Sequence, residues 1–169
     1  MRGNLEILKN KAGRRLLNLY LNQYSKFCRF IFIVTPIRSG SSLLQHIIAQ
    51  IDGCATVGET HLRYRKPRDL SRLIRRVCEE SGLSYFRRRT FLDKITADNQ
   101  MQDVELFNPD LVKVVFLLRQ PAPTIANLSK LKLWPRVGTS DVILNYYRGR
   151  LTNMVHQAEQ LRHRNRGFF

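Results

Sequence analysis

Apolar residues fall along this chain in two rhythms. Residues 30–34 (FIFIV) and 111–118 (LVKVVFLL) are almost unbroken apolar runs rich in β-branched and aromatic side chains. Such runs predict strands, and the near-continuous apolarity of the second predicts a central parallel strand covered on both faces. Elsewhere apolar positions recur every three or four residues. Leu43, Leu44, Ile47, Ile48 and Ile51 predict a helix that ends at Asp52-Gly53, and Leu70, Leu73, Ile74 and Val77 predict another within 63–80. Ile125, Leu128 and Leu131 mark a third, closed by Trp134-Pro135, and the apolar positions from Val142 to Leu161 mark the longest. Shorter extended stretches are expected at 55–57 and 91–96. Strands alternating with helices in this way predict an α/β fold with right-handed crossovers and a mainly parallel sheet.

Residues 1–29 form a basic, amphipathic N-terminal segment, with Leu and Tyr interleaved among Lys, Arg and Asn and an interruption near Gly13. A helix of this kind packs against its own domain or lies on a membrane surface, and packing is the more frequent use. Composition narrows the picture. A length of 169 residues with 43% hydrophobic content suits one folded domain with one core, which places it at 30–169. No apolar stretch approaches the roughly 20 residues that span a bilayer, and the N-terminus lacks the apolar centre of a signal peptide, so a cytoplasmic location is expected. Cys28, Cys54 and Cys78 are far apart with no CxxC pair, so they are expected to be reduced packing residues, with no metal site.

The net charge of +16 points to nucleic acid, an anionic membrane or an acidic substrate, but its distribution says more than its size. Residues 63–90 carry ten Lys/Arg against three acids, whereas 91–147 balance six against six. The charge therefore sits in flanking and inserted segments. Solvated helix faces explain that distribution, and so does a polyanionic ligand; no specific nucleic-acid partner is expected.

The chemistry gathers at TPIRSGSSLL, residues 35–44, directly after the first apolar run. A strand, a turn of small residues and then a helix place backbone N–H groups and the positive end of the helix dipole at one spot, which suits an anion. Ser39, Gly40, Ser41 and Ser42 are candidates to cradle a phosphate, with Arg38 at the loop's mouth. The Walker A pattern GxxxxGK[ST] is absent, since the loop has one glycine and arginine in place of lysine. Open parallel sheets bind ligands beyond the carboxyl ends of their strands. Glu59, Lys94 and Arg119 fall with the loop at such ends, so the four groups are expected to converge.

With these residues in hand, the chain resembles the sulfotransferase family, in motif style the tyrosylprotein, carbohydrate and bacterial branches, over about residues 30–162. PIRSGSSLL is similar to the motif that binds the 5′-phosphosulfate, and VVFLLRQPAPTIANLS, residues 114–129, is similar to the motif that binds the 3′-phosphate, with Arg119 at its arginine. The resemblance implies a three-layer, P-loop-like α/β fold related to nucleotide kinases. It also implies transfer of a sulfuryl group from 3′-phosphoadenosine 5′-phosphosulfate, as co-substrate and without a metal, to a hydroxyl of a carbohydrate or other acceptor. By the same resemblance Glu59 is the catalytic base, Lys94 and Arg38 stabilise charge on the transferring group, and Arg119 binds the 3′-phosphate.

The family places a serine eight residues after that arginine. Here the eighth residue is Asn127, with Ser129 two further on, so either is a candidate for the 3′-phosphate. The family's later glycine- and lysine-bearing segment has no counterpart before Phe169, which implies a domain incomplete at its C-terminus. Two other readings stand beside this one. One is a P-loop-type nucleotide kinase or ATPase, which the missing Walker lysine disfavours. The other is a catalytically inactive polyanion-binding module built on 1–29 and 63–90.

Overall fold

The computed structural model describes residues 11–81, 89–101, 108–130 and 140–162. The expectations for residues 3–10, Leu131 and Trp134-Pro135 lie outside these. Helix α1 (Lys11–Tyr24) leads through a 3-10 turn into β1 (Arg29–Val34), α2 (Ser41–Ala49) and β2 (Cys54–Ala55). A second 3-10 turn, Pro67–Asp69, opens α3 (Leu70–Ser81), followed by β3 (Thr90–Ile95), β4 (Val112–Phe116), α4 (Pro121–Ser129) and α5 (Ser140–Arg162). The expected α/β class and parallel sheet are both present. Among the described residues four strands lie in the order β2-β3-β1-β4, and every ladder is parallel. The 111–118 run, expected to be a central strand covered on both faces, is the terminal strand β4 of this order, and only Val112 of it is buried; β1 takes the inner place.

Side-chain alternation divides the core between the two faces of that sheet. Phe30, Phe32 and Val34 of β1 and Phe91 and Ile95 of β3 face one way, packing with Leu21 of α1, Leu73 and Val77 of α3 and Met154 of α5. Ile31 and Ile33 of β1 and Leu92 of β3 face the other way, against Leu44 and Ile48 of α2. Helices thus cover both faces, which is why the sequence of β1 carries no polar alternation. In α1, Leu17 and Leu21 turn to the core while Leu16, Leu19 and Phe27 beyond it stay exposed, at 67%, 64% and 78%. Among the described residues no helix is long and apolar enough to cross a membrane.

Register matters most for function. Val34 is level with Ile95 on one side and with Phe116 on the other, so β1, β3 and β4 end together. Thr35 N–H then donates to Ile95 O at 3.0 Å, and Leu117 N–H to Val34 O at 3.0 Å. The loops that follow these three strands therefore start from one line.

The same alternation separates two neighbours in sequence. Asp93 sits on the face with Tyr64, fully buried, and Lys94 points to the α2 face. The Asp93 carboxylate accepts from Thr60 N–H (3.1 Å), Thr60 Oγ1, Tyr64 Oη and Lys94 N–H (2.8 Å). Burial outweighs those bonds and raises its pKa above the ordinary 3.8. The folded protein therefore holds this proton more tightly than the unfolded chain does. The carboxyl's contribution to stability is greatest below about pH 3.8 and is lost as pH rises through the raised value. In Asp93→Asn the amide oxygen still accepts from the two N–H groups, and its NH2 donates to hydroxyls that turn to accept. Urea unfolding across the acid range is expected to show the parent's advantage over Asp93→Asn shrinking as pH rises. An advantage that grows with pH would refute the assignment. Asp93→Ala, which strands the buried Tyr64 hydroxyl, is expected to cost about 2–4 kcal/mol at low pH, and this cost too shrinks as pH rises through the raised value.

Candidate functional site

The turn after β1 is shaped by backbone conformations that its residues accept to different degrees. Gly40, at the N-cap of α2, has φ 91°, a left-handed value that suits glycine, and Arg38 takes φ 67° without that freedom. Beside Gly40 the space that a Cβ would occupy is open. Arg38 and Gly40 are exposed, whereas Ser39 and Ser41 are 7% and 6% exposed. The Ser39 hydroxyl is paired with Thr35 Oγ1, which also donates toward Leu117 O (3.1 Å). Of the three serines expected to cradle an anion, only Ser42 presents an exposed side chain. Ser39 ties the turn to Thr35 and Ser41 is buried at the start of α2, whose first N–H groups remain without partners inside the helix, as at any helix start.

Glu59 stands in a turn anchored from both sides. Gln45, inward on α2 and 4% exposed, donates through Nε2 to Thr56 Oγ1 (2.8 Å) and to Gly58 O (2.7 Å). On the other side Thr60 is tied to Asp93 of β3. Gly58 itself has φ 92°, the left-handed region again. Held this way, the Glu59 carboxylate accepts from Thr96 Oγ1 and lies 3.3 Å from Lys94 Nζ and 3.6 Å from His61 Nδ1. Lys94 Nζ also donates to Ser42 Oγ at 3.2 Å. Its side chain is 11% exposed and that of Glu59 23%, so the pair is mostly shielded while His61 is 76% exposed. Shielding of this degree strengthens a charge pair relative to one on open surface. The carboxylates nearest Lys94 in sequence, Asp93 and Asp98, are not its partners: Asp93 faces the other side of the sheet, and Asp98 pairs with Arg150.

Arg119, exposed and three residues beyond β4, donates from Nη1 to Arg38 O at 3.3 Å. The expected group is therefore brought together as two linked halves. Ser42, Glu59 and Lys94 form one, and Arg38 and Arg119 form the other, joined through the loop after β1. Asn127 and Ser129 lie on the last turns of α4. The Ser129 hydroxyl donates to Ala126 O of its own helix (2.9 Å), and Asn127 is half-buried.

Comparison with protein-family models, curated proteins and solved structures gives no match for this chain. The site's chemistry is consequently read from its own geometry.

Several groups that hold the site carry no obvious mark in the sequence. Arg150 of α5, 1% exposed, donates from Nε to Thr35 O (3.3 Å), from Nη2 to Ile95 O (2.8 Å) and from Nη1 to Asp98. One signal was available. Ile143, Tyr147, Met154 and Leu161 recur at helical spacing, and Arg150 and Gln157 fall on the same stripe. A cation within an apolar stripe must find buried partners, and here these are strand-end carbonyls.

A second concavity opens beside the Glu59 turn. His61, Leu62, Arg63, Arg65, Lys66, Asp69 and Arg72 line a cavity of about 440 Å³. Asp69 Oδ2 accepts the N–H groups of Arg65 (2.9 Å) and Lys66 (3.2 Å), and Arg72 Nη1 lies 3.5 Å from its Oδ1. Asp69 thus organises the backbone of the wall and offsets one of its cations.

Proposed function

We propose that this chain is a sulfotransferase domain that moves a sulfuryl group from 3′-phosphoadenosine 5′-phosphosulfate to an acceptor hydroxyl, of a carbohydrate or another compound. The observation that carries the reading is the meeting of Glu59 and Lys94, 3.3 Å apart, beside Ser42 at the start of α2. A carboxylate, a cation and a helix N-terminus at one point are what transfer of an anionic group from a phosphate-bearing donor to a hydroxyl requires. The strand order β2-β3-β1-β4, with the loop leaving β1 between two parallel neighbours, supports a P-loop-like arrangement.

In this reading the Ser41 and Ser42 N–H groups and the Ser42 hydroxyl hold the 5′-phosphate, with Gly40 permitting its close approach. Glu59 takes the proton of the attacking hydroxyl. The acceptor oxygen forms its bond to sulfur as the bond from sulfur to the bridging oxygen breaks, and that electron pair leaves with 3′-phosphoadenosine 5′-phosphate. Lys94 and Arg38 offset the charge that grows on the transferring and leaving oxygens. Arg119 supplies a planar fork for the 3′-phosphate dianion. Asn127 is the better second donor to it, because the Ser129 hydroxyl is already spent on Ala126.

Isothermal titration with 3′-phosphoadenosine 5′-phosphate tests the donor site. Saturable binding without magnesium is expected, with Arg38→Ala and Arg119→Ala each weakening it by roughly 10- to 100-fold, the scale of a lost charged hydrogen bond. Absence of binding by a folded sample would sink the reading, and magnesium-dependent ATP binding in its place would favour the kinase alternative. The cationic cavity between His61 and Arg72 favours one further reading, a polyanion-binding module without turnover. That reading predicts steep salt dependence that is indifferent to alanine at Arg38 or Arg119.

A further inference from the structure

One turn of α5 reaches the segments that follow all three strands bearing the proposed donor site. Tyr146 Oη accepts from Ile37 N–H (3.4 Å) in the loop after β1. Arg150 bridges Thr35 O and Ile95 O at the ends of β1 and β3. Tyr147 Oη, on a residue 3% exposed, donates to Arg119 O at 2.9 Å. The third contact differs from the others in what it holds. β4 ends at Phe116, and the last sheet-like bond beyond it is Leu117 N–H to Val34 O. Leu118 and Arg119 are exposed, and α4 begins only at Pro121, with no side-chain cap from Gln120. Arg119 therefore lies on a short span between Leu117, held at the end of β1, and Gln120, whose carbonyl accepts from Thr124 N–H and Oγ1. Its own carbonyl goes to Tyr147 rather than to the ladder or the helix. The Tyr147 hydroxyl fastens that span by its carbonyl while the guanidinium reaches Arg38 O.

We propose that Tyr147 is a positioning residue that sets selectivity for a 3′-phosphorylated nucleotide by holding Arg119 in place from behind. The inference rests on the reading of Arg119 as the group that binds the 3′-phosphate, and it adds a determinant from a helix that lies outside the nucleotide motifs in sequence and touches them from behind. The physical reason is orientation: a guanidinium on an unfastened span must lose more freedom on binding, and that cost falls on the 3′-phosphate contact alone. Tyr147→Phe removes only the hydroxyl and leaves the buried ring in place. Tyr146→Phe is the control, because its bond goes to the 5′ side of the site.

The test is titration of the full chain and its variants with 3′-phosphoadenosine 5′-phosphate and with adenosine 5′-monophosphate, which lacks the 3′-phosphate. The parent is expected to prefer the first. Tyr147→Phe is expected to weaken it roughly five- to tenfold, the range of one lost hydrogen bond, while adenosine 5′-monophosphate shifts less than about twofold. Tyr146→Phe is expected to shift both ligands alike. Adding Tyr147→Phe to Arg119→Ala should cost nothing further, since the two act through one contact. Equal weakening of both ligands by Tyr147→Phe, as loosened packing would give, overturns the inference and leaves the donor site standing. A parent that binds neither ligand, or does not distinguish them, overturns the reading of Arg119 and the inference together.

Discussion

Glu59→Gln is expected to transfer sulfuryl groups about 10²- to 10⁴-fold more slowly than the parent, with 3′-phosphoadenosine 5′-phosphate bound within about threefold of the parent affinity. The substitution keeps size and shape and removes the ability to take a proton. Glutamine still accepts from Thr96 Oγ1, and the turn stays anchored through Gln45 to Gly58 and through Thr60 to Asp93. Loss of rate with retained nucleotide binding therefore separates a base from a structural carboxylate. Single-turnover transfer to a hydroxyl acceptor reads the rate, and titration reads the affinity. An unchanged rate would remove Glu59 from the chemistry and would leave its ion pair with Lys94 as a structural contact.

The second large effect concerns stability. Arg150→Met is expected to cost about 3 kcal/mol, the scale of breaking a buried charged contact by removing one partner. In a chain of 169 residues that corresponds to a fall in Tm of roughly 6–12 °C. Methionine fills much of the space but leaves Thr35 O, Ile95 O and Asp98 without the guanidinium that now joins them. Arg150→Lys is expected to recover only part of the loss, since a single ammonium lacks the fork that reaches three acceptors at once. Calorimetry of both variants measures this. A methionine variant as stable as the parent would show that these strand ends are held by the ladder alone.

The apolar run at 30–34 was legible as a buried strand because a strand covered on both faces has little use for polar residues. The run at 111–118 was legible as a strand but not by its place: apolarity pointed to the centre of the sheet, and β4 instead lies at the end of the described strand order, with Val114, Phe116 and Leu117 half-buried against the two core faces. The loop after β1 was legible because a turn of small residues between a strand and a helix is a local arrangement. The strand limits were less so. The first strand starts at Arg29, and the stretch expected at 55–57 is a strand only at Cys54–Ala55. Ladder bonds set those limits, and ladder partners are distant in sequence. Ser39 shows a finer limit. Its residue type suited an anion cradle, but its hydroxyl turns inward to Thr35, a choice made by packing that composition does not carry.

Lys94 illustrates the division most clearly. Its neighbours in sequence offered Asp93 and Asp98 as partners, and the pleat of β3 sends Asp93 to the opposite face while Arg150 engages Asp98. The same holds for α5, whose apolar stripe was readable as a long helix but whose Tyr147 and Arg150 could not be assigned partners. Local pattern settled which segments are strands, which are helices and where a phosphate-suited turn lies, because these depend on residues within a few positions of one another. Which charges meet, which serines face outward and which helix holds the strand ends follow from the register of β1 with β3 and β4. That register is fixed by packing and by hydrogen bonds between residues far apart in the chain.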